Sequence, residues 1–258
     1  MKSKFEKNEL PFHLFLTGGA GVGKTFTTKV IIAYIQLFCA RVLNSNCVLV
    51  CAPTGTAANN INGRTIHSLL RVPVAQFLNY AGLSNYTLKQ VRKEFENVHS
   101  VVIDEVSMVS GDMLTFISRR LSEIKDCDFP FGGCNIIAVG DFFQLRPVKG
   151  NFAFKNELLW HLFQPMFLKE NNRQNSDLSH DLLLNRVRIG MPLENDISFL
   201  KSRLQYDETK FSKFLHIYPT RQQVEMYKII SLVNWQIPSE SMQIIFMHQR
   251  MIISWDKF

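Results

Sequence analysis

Long hydrophobic runs, paired-cysteine patterns and low-complexity tracts are missing from this 258-residue chain. Its longest apolar stretch, around Val30 to Ala40, is broken by Gln36 and is shorter than the about 20 residues needed to span a bilayer. The opening residues Met-Lys-Ser-Lys-Phe-Glu-Lys lead into no apolar signal region. These absences predict an intracellular protein with no membrane partner. The five cysteines (Cys39, Cys47, Cys51, Cys127 and Cys134) are odd in number and contain no C-x-x-C pair, so neither a zinc site nor a disulfide framework is indicated. They read as reduced thiols. Acidic residues are the scarcer charge, 22 against 29 Lys and Arg, and the net charge of +7 gives weak support to an anionic partner such as nucleic acid. Repeats and long linkers are also absent, which leaves one large domain or two small ones.

Against this background, Gly18 to Thr25, Gly-Gly-Ala-Gly-Val-Gly-Lys-Thr, fits the phosphate-binding pattern G-x-x-x-x-G-K-[ST]. Glycines let the backbone curl around an anion with its N–H groups inward. Lys24 reaches the terminal phosphates, and the Thr25 hydroxyl holds Mg²⁺. An apolar run, Phe12 to Leu16, precedes the loop, and Phe26, Val30, Ala33, Tyr34 and Leu37 follow it at helical spacing. Strand, loop and helix predict a site for a nucleoside triphosphate such as ATP.

Cys47 to Ala52 is a continuous apolar run of the kind found in buried parallel strands. It ends in Pro53-Thr54-Gly55-Thr56, small residues that either admit a ligand backbone or phosphate or cap a helix. Residues 71–98 read as a small insertion with turns at Pro73, Gly82 and Asn85. Val98 to Glu105 is a strand closing on two carboxylates, of which Asp104 suits the Mg²⁺ shell and Glu105 suits activation of an attacking water. A packed helix is predicted from Gly111 to Lys125, with Met113, Phe116, Ile117, Leu121 and Ile124 on one face. Asn135 to Val139 is a further buried strand, followed by Gly140-Asp141-Phe142-Phe143-Gln144-Leu145. There Asp141 and Gln144 are placed to sense a γ-phosphate, and Phe142 and Phe143 read as core aromatics before base-stacking platforms. Met166 to Leu168 is a short strand and Asp177 to Ile189 a helix. The composition changes near residue 167, and Phe214 to Tyr218 with Thr220 to Val233 reads as a second strand–helix unit. Ser241 to Phe246 and Met251 to Trp255 are possible strands. Alternation of apolar strands with helices argues an α/β fold with a mainly parallel sheet covered on both faces.

Taken jointly, the motifs resemble those of the PIF-type (petite integration frequency) DNA helicases of superfamily one, especially the helicase module of Helitron transposons. The resemblance rests on Gly18 to Thr25, Ala52 to Ala58, Thr65-Ile66-His67-Ser68, Ile103 to Val109, Gly140 to Leu145 and Arg173-Gln174. It implies a RecA-like motor domain over residues 1–166 and a partial second one over residues 167–258. It also implies ATP and Mg²⁺ as ligands, with Lys24, Thr25, Asp104, Glu105, Gln144 and Arg173 in the ATPase site, Arg173 approaching from the second domain. Thr54, Gly55, Thr56 and His67 fall on the path of single-stranded DNA. The implied activity is 5′-to-3′ unwinding of tailed duplexes in recombination, repair and telomere maintenance, in the nucleus or mitochondrion of a eukaryote. Two departures stand out. Leu145-Arg146-Pro147-Val148 replaces the family's Leu-Pro-Pro-Val, and the late helicase motifs have no counterpart before Phe258. The alternative is a transposon-derived fragment that binds ATP and DNA without effective unwinding. A phosphate-loop kinase is disfavoured, because Asp104, Glu105 and Gln144 suit attack by water and no acceptor lid is evident.

Overall fold

The computed structural model describes residues 11–43, 47–73, 79–148, 150–170, 178–204 and 216–236. Six parallel strands form one sheet in the order β3-β2-β4-β5-β1-β6. They are β1 (His13–Thr17), β2 (Val48–Ala52), β3 (Arg64–Thr65), β4 (Ser100–Ile103), β5 (Asn135–Gly140) and β6 (Phe163–Phe167). The α-helices are α1 (Lys24–Leu43), α2 (Gly55–Asn60), α3 (Ile66–Leu70), α4 (Asn85–Phe95), α5 (Gly111–Lys125), α6 (Glu157–Trp160), α7 (Leu178–Arg188), α8 (Glu194–Ser202) and α9 (Arg221–Gln236). The predicted α/β class and parallel sheet are therefore present.

The central strands are mostly apolar because both of their faces are covered. Alternation within them decides which helix each residue meets. Leu14, Leu16, Val102, Ile137 and Val139 pack with Ile32, Ile35 and Cys39 of α1 on one face. Phe15, Val101, Ile103, Ile136 and Ala138 join Phe116, Ile117 and Leu121 of α5 and Val91 and Phe95 of α4 on the other. The α5 boundaries and its buried face agree with the sequence expectation. At one edge, β6 includes Pro165 and pairs only with β1, where a residue without an N–H is tolerated.

The structure overturns three local expectations. The α1 residues read as its packing face point outward: Phe26 is 73% exposed, Val30 52% and Leu37 56%, and Tyr34 and Ala33 are exposed too. Thr28, Ile32, Ile35 and Cys39 are buried instead. This helix is apolar on both sides, so its period alone does not single out the face against the sheet. Cys39 and Cys47, expected as reduced thiols, are joined in a disulfide with Cα atoms 6.2 Å apart. The packing of α1 against β2 brings together two cysteines whose spacing carries no pairing signal. Cys51, Cys127 and Cys134 are free. Finally, His216 to Tyr218 is not a strand, and Phe214 lies outside the described residues. So do the possible strands at Ser241 to Phe246 and Met251 to Trp255.

The chain divides into two compact units, Met1–Ser198 and Phe199–Phe258. This division does not coincide with the composition change near residue 167, since β6 ends at Phe167 within the sheet and α7 belongs to the first unit. No helix among the described residues is long and apolar enough to cross a membrane.

The base of β1 carries an acid-sensitive group. His13 is buried between the rings of Phe131 and Phe163, 5.1 and 5.5 Å away, and its Nε2 has no hydrogen-bond partner among the described residues. Burial pulls its pKa down to about 4 from an ordinary 6.5. The unfolded chain therefore binds this proton first as pH falls, and stability is lost from about pH 6.5 down to about pH 4. The expected loss at pH 4.5 is on the order of 2–3 kcal/mol. Urea unfolding of the wild type and His13→Phe at pH 7 and pH 4.5 measures it. The variant should lose less stability on acidification, and parallel losses would refute the assignment.

Candidate functional site

Because every strand is parallel, all their C-terminal ends lie along one edge of the sheet, where open α/β sheets bind ligands. Thr17 pairs with Gly140 on one side and Phe167 on the other, so the phosphate loop, Asp141 and Leu168 emerge side by side. Two strands further along, Ile103 is aligned with Ala138, and Asp104 and Glu105 follow it. Residues far apart in the chain are thus gathered into one row.

The loop from Gly18 to Thr25 runs directly into α1. A Cβ on Gly18 would lie 2.5 Å from the carbonyl oxygen of Leu168 and 2.7 Å from a methyl of Val22, so a larger residue would spread the loop. Gly21 has φ 85° and Gly23 φ 83°, a conformation costly for residues with a Cβ. Lys24 Nζ donates to the carbonyls of Gly18 at 2.8 Å and Gly19 at 2.9 Å, which folds the ammonium back across the loop. Burial pulls the Lys24 pKa down, while Asp141, Glu105 and Asp104 oppose that shift and Arg188 reinforces it.

Burial raises the pKa of Asp104, against the Glu105 backbone hydrogen bond and Lys24. Burial also raises Glu105, with Asp104 adding to the shift, Lys24 opposing it and Asp141 adding further. Glu105 has φ 52° as it turns the chain from β4 into the short 3-10 turn Val106–Met108. The carboxylate and exposed hydroxyl of Asp104 and Thr25 are hard oxygen donors. That set fits Mg²⁺, which takes one or two protein ligands and completes its shell with phosphate and water. No cluster of three or more His, Cys, Asp or Glu able to hold a metal unaided occurs among the described residues.

Asp141 is 1% exposed and accepts four hydrogen bonds. Phe143 N and Gln144 Nε2 donate from its own turn at 3.1 and 3.2 Å. Arg188, at the end of α7, donates from Nε at 2.7 Å and Nη2 at 2.6 Å. Burial would raise the Asp141 pKa, but the bonds from Arg188 and Phe143 with the charges of Arg188 and Lys24 hold it below the usual carboxylate range. Phe142 lies in an aromatic cluster with Phe15, Phe152, Phe154 and Trp160, as a core residue should. Phe143, read as core, is instead 60% exposed, with the Arg188 guanidinium 4.7 Å from its ring centre. A cavity of about 460 Å³ opens above Gly18, Gly19 and Ala20, bounded by Phe143, Asn185 and Arg188. Arg188 and Asn185 carried no recognised motif. Their only trace in sequence is helical spacing with Asp181, which a solvated helix face would show equally.

Thr54 accepts a hydrogen bond from Ala57 N at 3.2 Å and caps α2, so its capping role is present. Gly55 and Thr56 are exposed in the first turn of α2, and His67 is half-buried on α3. Pairing of Ala52 with Thr65 brings these two helix starts together, at the end of the sheet away from the phosphate loop. Arg173 lies outside the described residues.

A parallel sheet with a phosphate loop after β1, a carboxylate pair after β4 and a polar turn after β5 defines a RecA-like phosphate-loop domain. Comparison narrows the class: the chain belongs to the PIF1-like helicase family, whose profile matches residues 4–187. The ATP-dependent DNA helicase Pif1 of Psychrobacter sp. is 34% identical over 68% of this chain and 28% of its own length. The PIF1 helicase of Saccharomyces cerevisiae is 31% identical over 83% of this chain and 25% of its own. Among solved structures, Candida albicans Pif1 superposes with a TM-score of 0.70 and 29% identity, covering 88% of this chain and 51% of that one. Bacteroides Pif1 with ADP-AlF3 and single-stranded DNA gives a TM-score of 0.69 at 27% identity, covering 92% of this chain and 56% of that one. The chain thus spans about a quarter of the length of the two curated relatives.

Proposed function

We propose that this chain is the nucleotide-hydrolysing motor portion of an ATP-dependent DNA helicase, coupling ATP turnover to 5′-to-3′ movement on single-stranded DNA. The observation that carries this reading is the row along one sheet edge. Phosphate loop, sensor turn, carboxylate pair and the Thr54 to Thr56 and His67 segment follow one another from β1 to β3. The names of the relatives and the DNA-bound Bacteroides structures support the same reading. On this reading, Gly18 to Thr25 bind the triphosphate of ATP. Thr25 and Asp104 would hold Mg²⁺, which supplies charge neutralisation at the β- and γ-phosphates. Glu105 accepts the proton of the attacking water, and Gln144 reports the γ-phosphate. Arg173 is proposed to stabilise the transition state from a second motor domain, as the resemblance implies. Recombination, repair and telomere maintenance in a DNA-containing compartment are the proposed setting.

The test is ATP turnover measured with and without single-stranded DNA, with strand displacement on a duplex carrying a 5′ tail. DNA-stimulated turnover and displacement are expected, whereas equal turnover with and without DNA would remove the coupling. Binding supplies a second check. Thr54, Gly55, Thr56 and His67 are proposed to contact the strand mainly through its backbone, so affinity should vary little with base sequence. It should fall with salt at a log–log slope of about −0.7 per phosphate contacted. A flat salt response would exclude a backbone-tracking groove.

A further inference from the structure

Asp141 is buried and anionic, and a carboxylate in that state needs a partner that is both charged and well aligned. The donors from its own turn, Phe143 N and Gln144 Nε2, are neutral. The only cation hydrogen-bonded to it among the described residues is Arg188, which grips both carboxylate oxygens in a fork. The grip spans 47 residues of sequence and connects α7 to the turn that bears Gln144. Arg188 also lies against the phosphate loop: a Cβ built on Gly19 would be 4.0 Å from its Cζ and Nε. Its remaining nitrogen, Nη1, makes no hydrogen bond among the described residues.

From this geometry we propose that Arg188 is the positioning residue of the γ-phosphate sensor. It fixes the Asp141 carboxylate, and Asp141 in turn fixes the amide of Gln144. The proposal rests on the hydrolytic reading above and deepens it by tying the sensor to α7. Oδ2 of Asp141 accepts from both Arg188 Nε and Gln144 Nε2, so movement of one donor alters the acceptor available to the other. Loss of the guanidinium would leave Asp141 buried without its fork. The carboxylate would then turn toward solvent and leave Gln144 without its acceptor, or take up a proton and offer Gln144 only a weaker, neutral one.

Two readouts test this on the full chain. The first is the side-chain amide NMR signal of Gln144 in glutamine-¹⁵N protein, identified by its disappearance in Gln144→Ala. The second is steady-state ATP turnover with the affinity for a fluorescent ATP analogue. In Arg188→Ala the Gln144 signal should move, and kcat should fall on the order of 10- to 100-fold, the usual cost of misplacing a reacting group by about 1 Å. Nucleotide affinity should stay within about threefold, because Lys24 and the loop are unchanged. Millimolar guanidinium should recover part of the lost kcat in Arg188→Ala and none in Gln144→Ala. Arg188→Lys, which keeps the charge but not the fork, should fall between the wild type and Arg188→Ala. An unmoved Gln144 signal, a kcat within twofold of wild type, or an affinity lost as severely as in Lys24→Ala would each overturn the proposal. A wild-type chain without ATP turnover would refute the hydrolytic reading instead, and the Gln144 signal would still decide whether Arg188 positions the sensor.

Discussion

Glu105→Gln is expected to lower ATP turnover on the order of 10²- to 10⁴-fold while leaving nucleotide affinity nearly unchanged. Glu105 follows β4 directly after Asp104 and is held by a left-handed backbone turn. Glutamine keeps the size and hydrogen-bonding capacity of the side chain but cannot take the proton of an attacking water. The loss should therefore appear in kcat and not in binding. The environment of Glu105 gives a second, independent signature. Burial and the neighbouring Asp104 raise its pKa. A base works only when ionised, so activity should fall as pH drops through a pKa above the ordinary glutamate range. In the variant this acid limb should vanish from the residual rate. Single-turnover hydrolysis across pH, with analogue binding on the same samples, measures both effects. A variant that turns over ATP at the wild-type rate would remove Glu105 from the mechanism.

Lys24→Ala should instead weaken nucleotide binding, by roughly 10- to 100-fold for a charge-assisted contact to phosphate. Lys24 sits at the first turn of α1, where the helix N-terminus already favours an anion, and its ammonium is folded over the loop by Gly18 O and Gly19 O. The carboxylates of Asp141, Glu105 and Asp104 favour its charged form against the cost of burial. The side chain is thus ordered by its two carbonyl contacts before a triphosphate arrives, and its removal costs both the contact and that preorganisation. Titration with a fluorescent ATP analogue, with circular dichroism to confirm folding, is the measurement. Equal affinity in the folded variant and the wild type would refute the phosphate-loop assignment. The two substitutions are expected to separate cleanly, one acting on binding and the other on chemistry.

Much of the site is legible along the chain because its chemistry is local. Eight contiguous residues hold the glycines, lysine and hydroxyl of the phosphate loop, and Asp104 and Glu105 close an apolar run that is recognisably a buried strand. The face of α5 was legible for a related reason: its outer side is polar, so the helical period singles out one apolar stripe. On α1 the same reasoning chose the outward stripe, because both sides of that helix are apolar and only the sheet distinguishes them. Phe142 and Phe143 show the same limit at the scale of adjacent residues, one in an aromatic cluster and the other under Arg188 at the surface.

Local pattern alone sets the strand–loop–helix from Phe12 to Leu37, the parallel α/β class and the residues at the ends of β4 and β5. Each of these depends on spacings of a few residues, and side-chain periodicity and backbone permissiveness operate at that range. The packed fold alone brings Cys39 to Cys47 and closes Arg188 on Asp141 beside the phosphate loop. Strand order gathers the row of loops around them. With β1 inserted between β5 and β6, segments more than a hundred residues apart become neighbours, and no local period encodes which of them will touch.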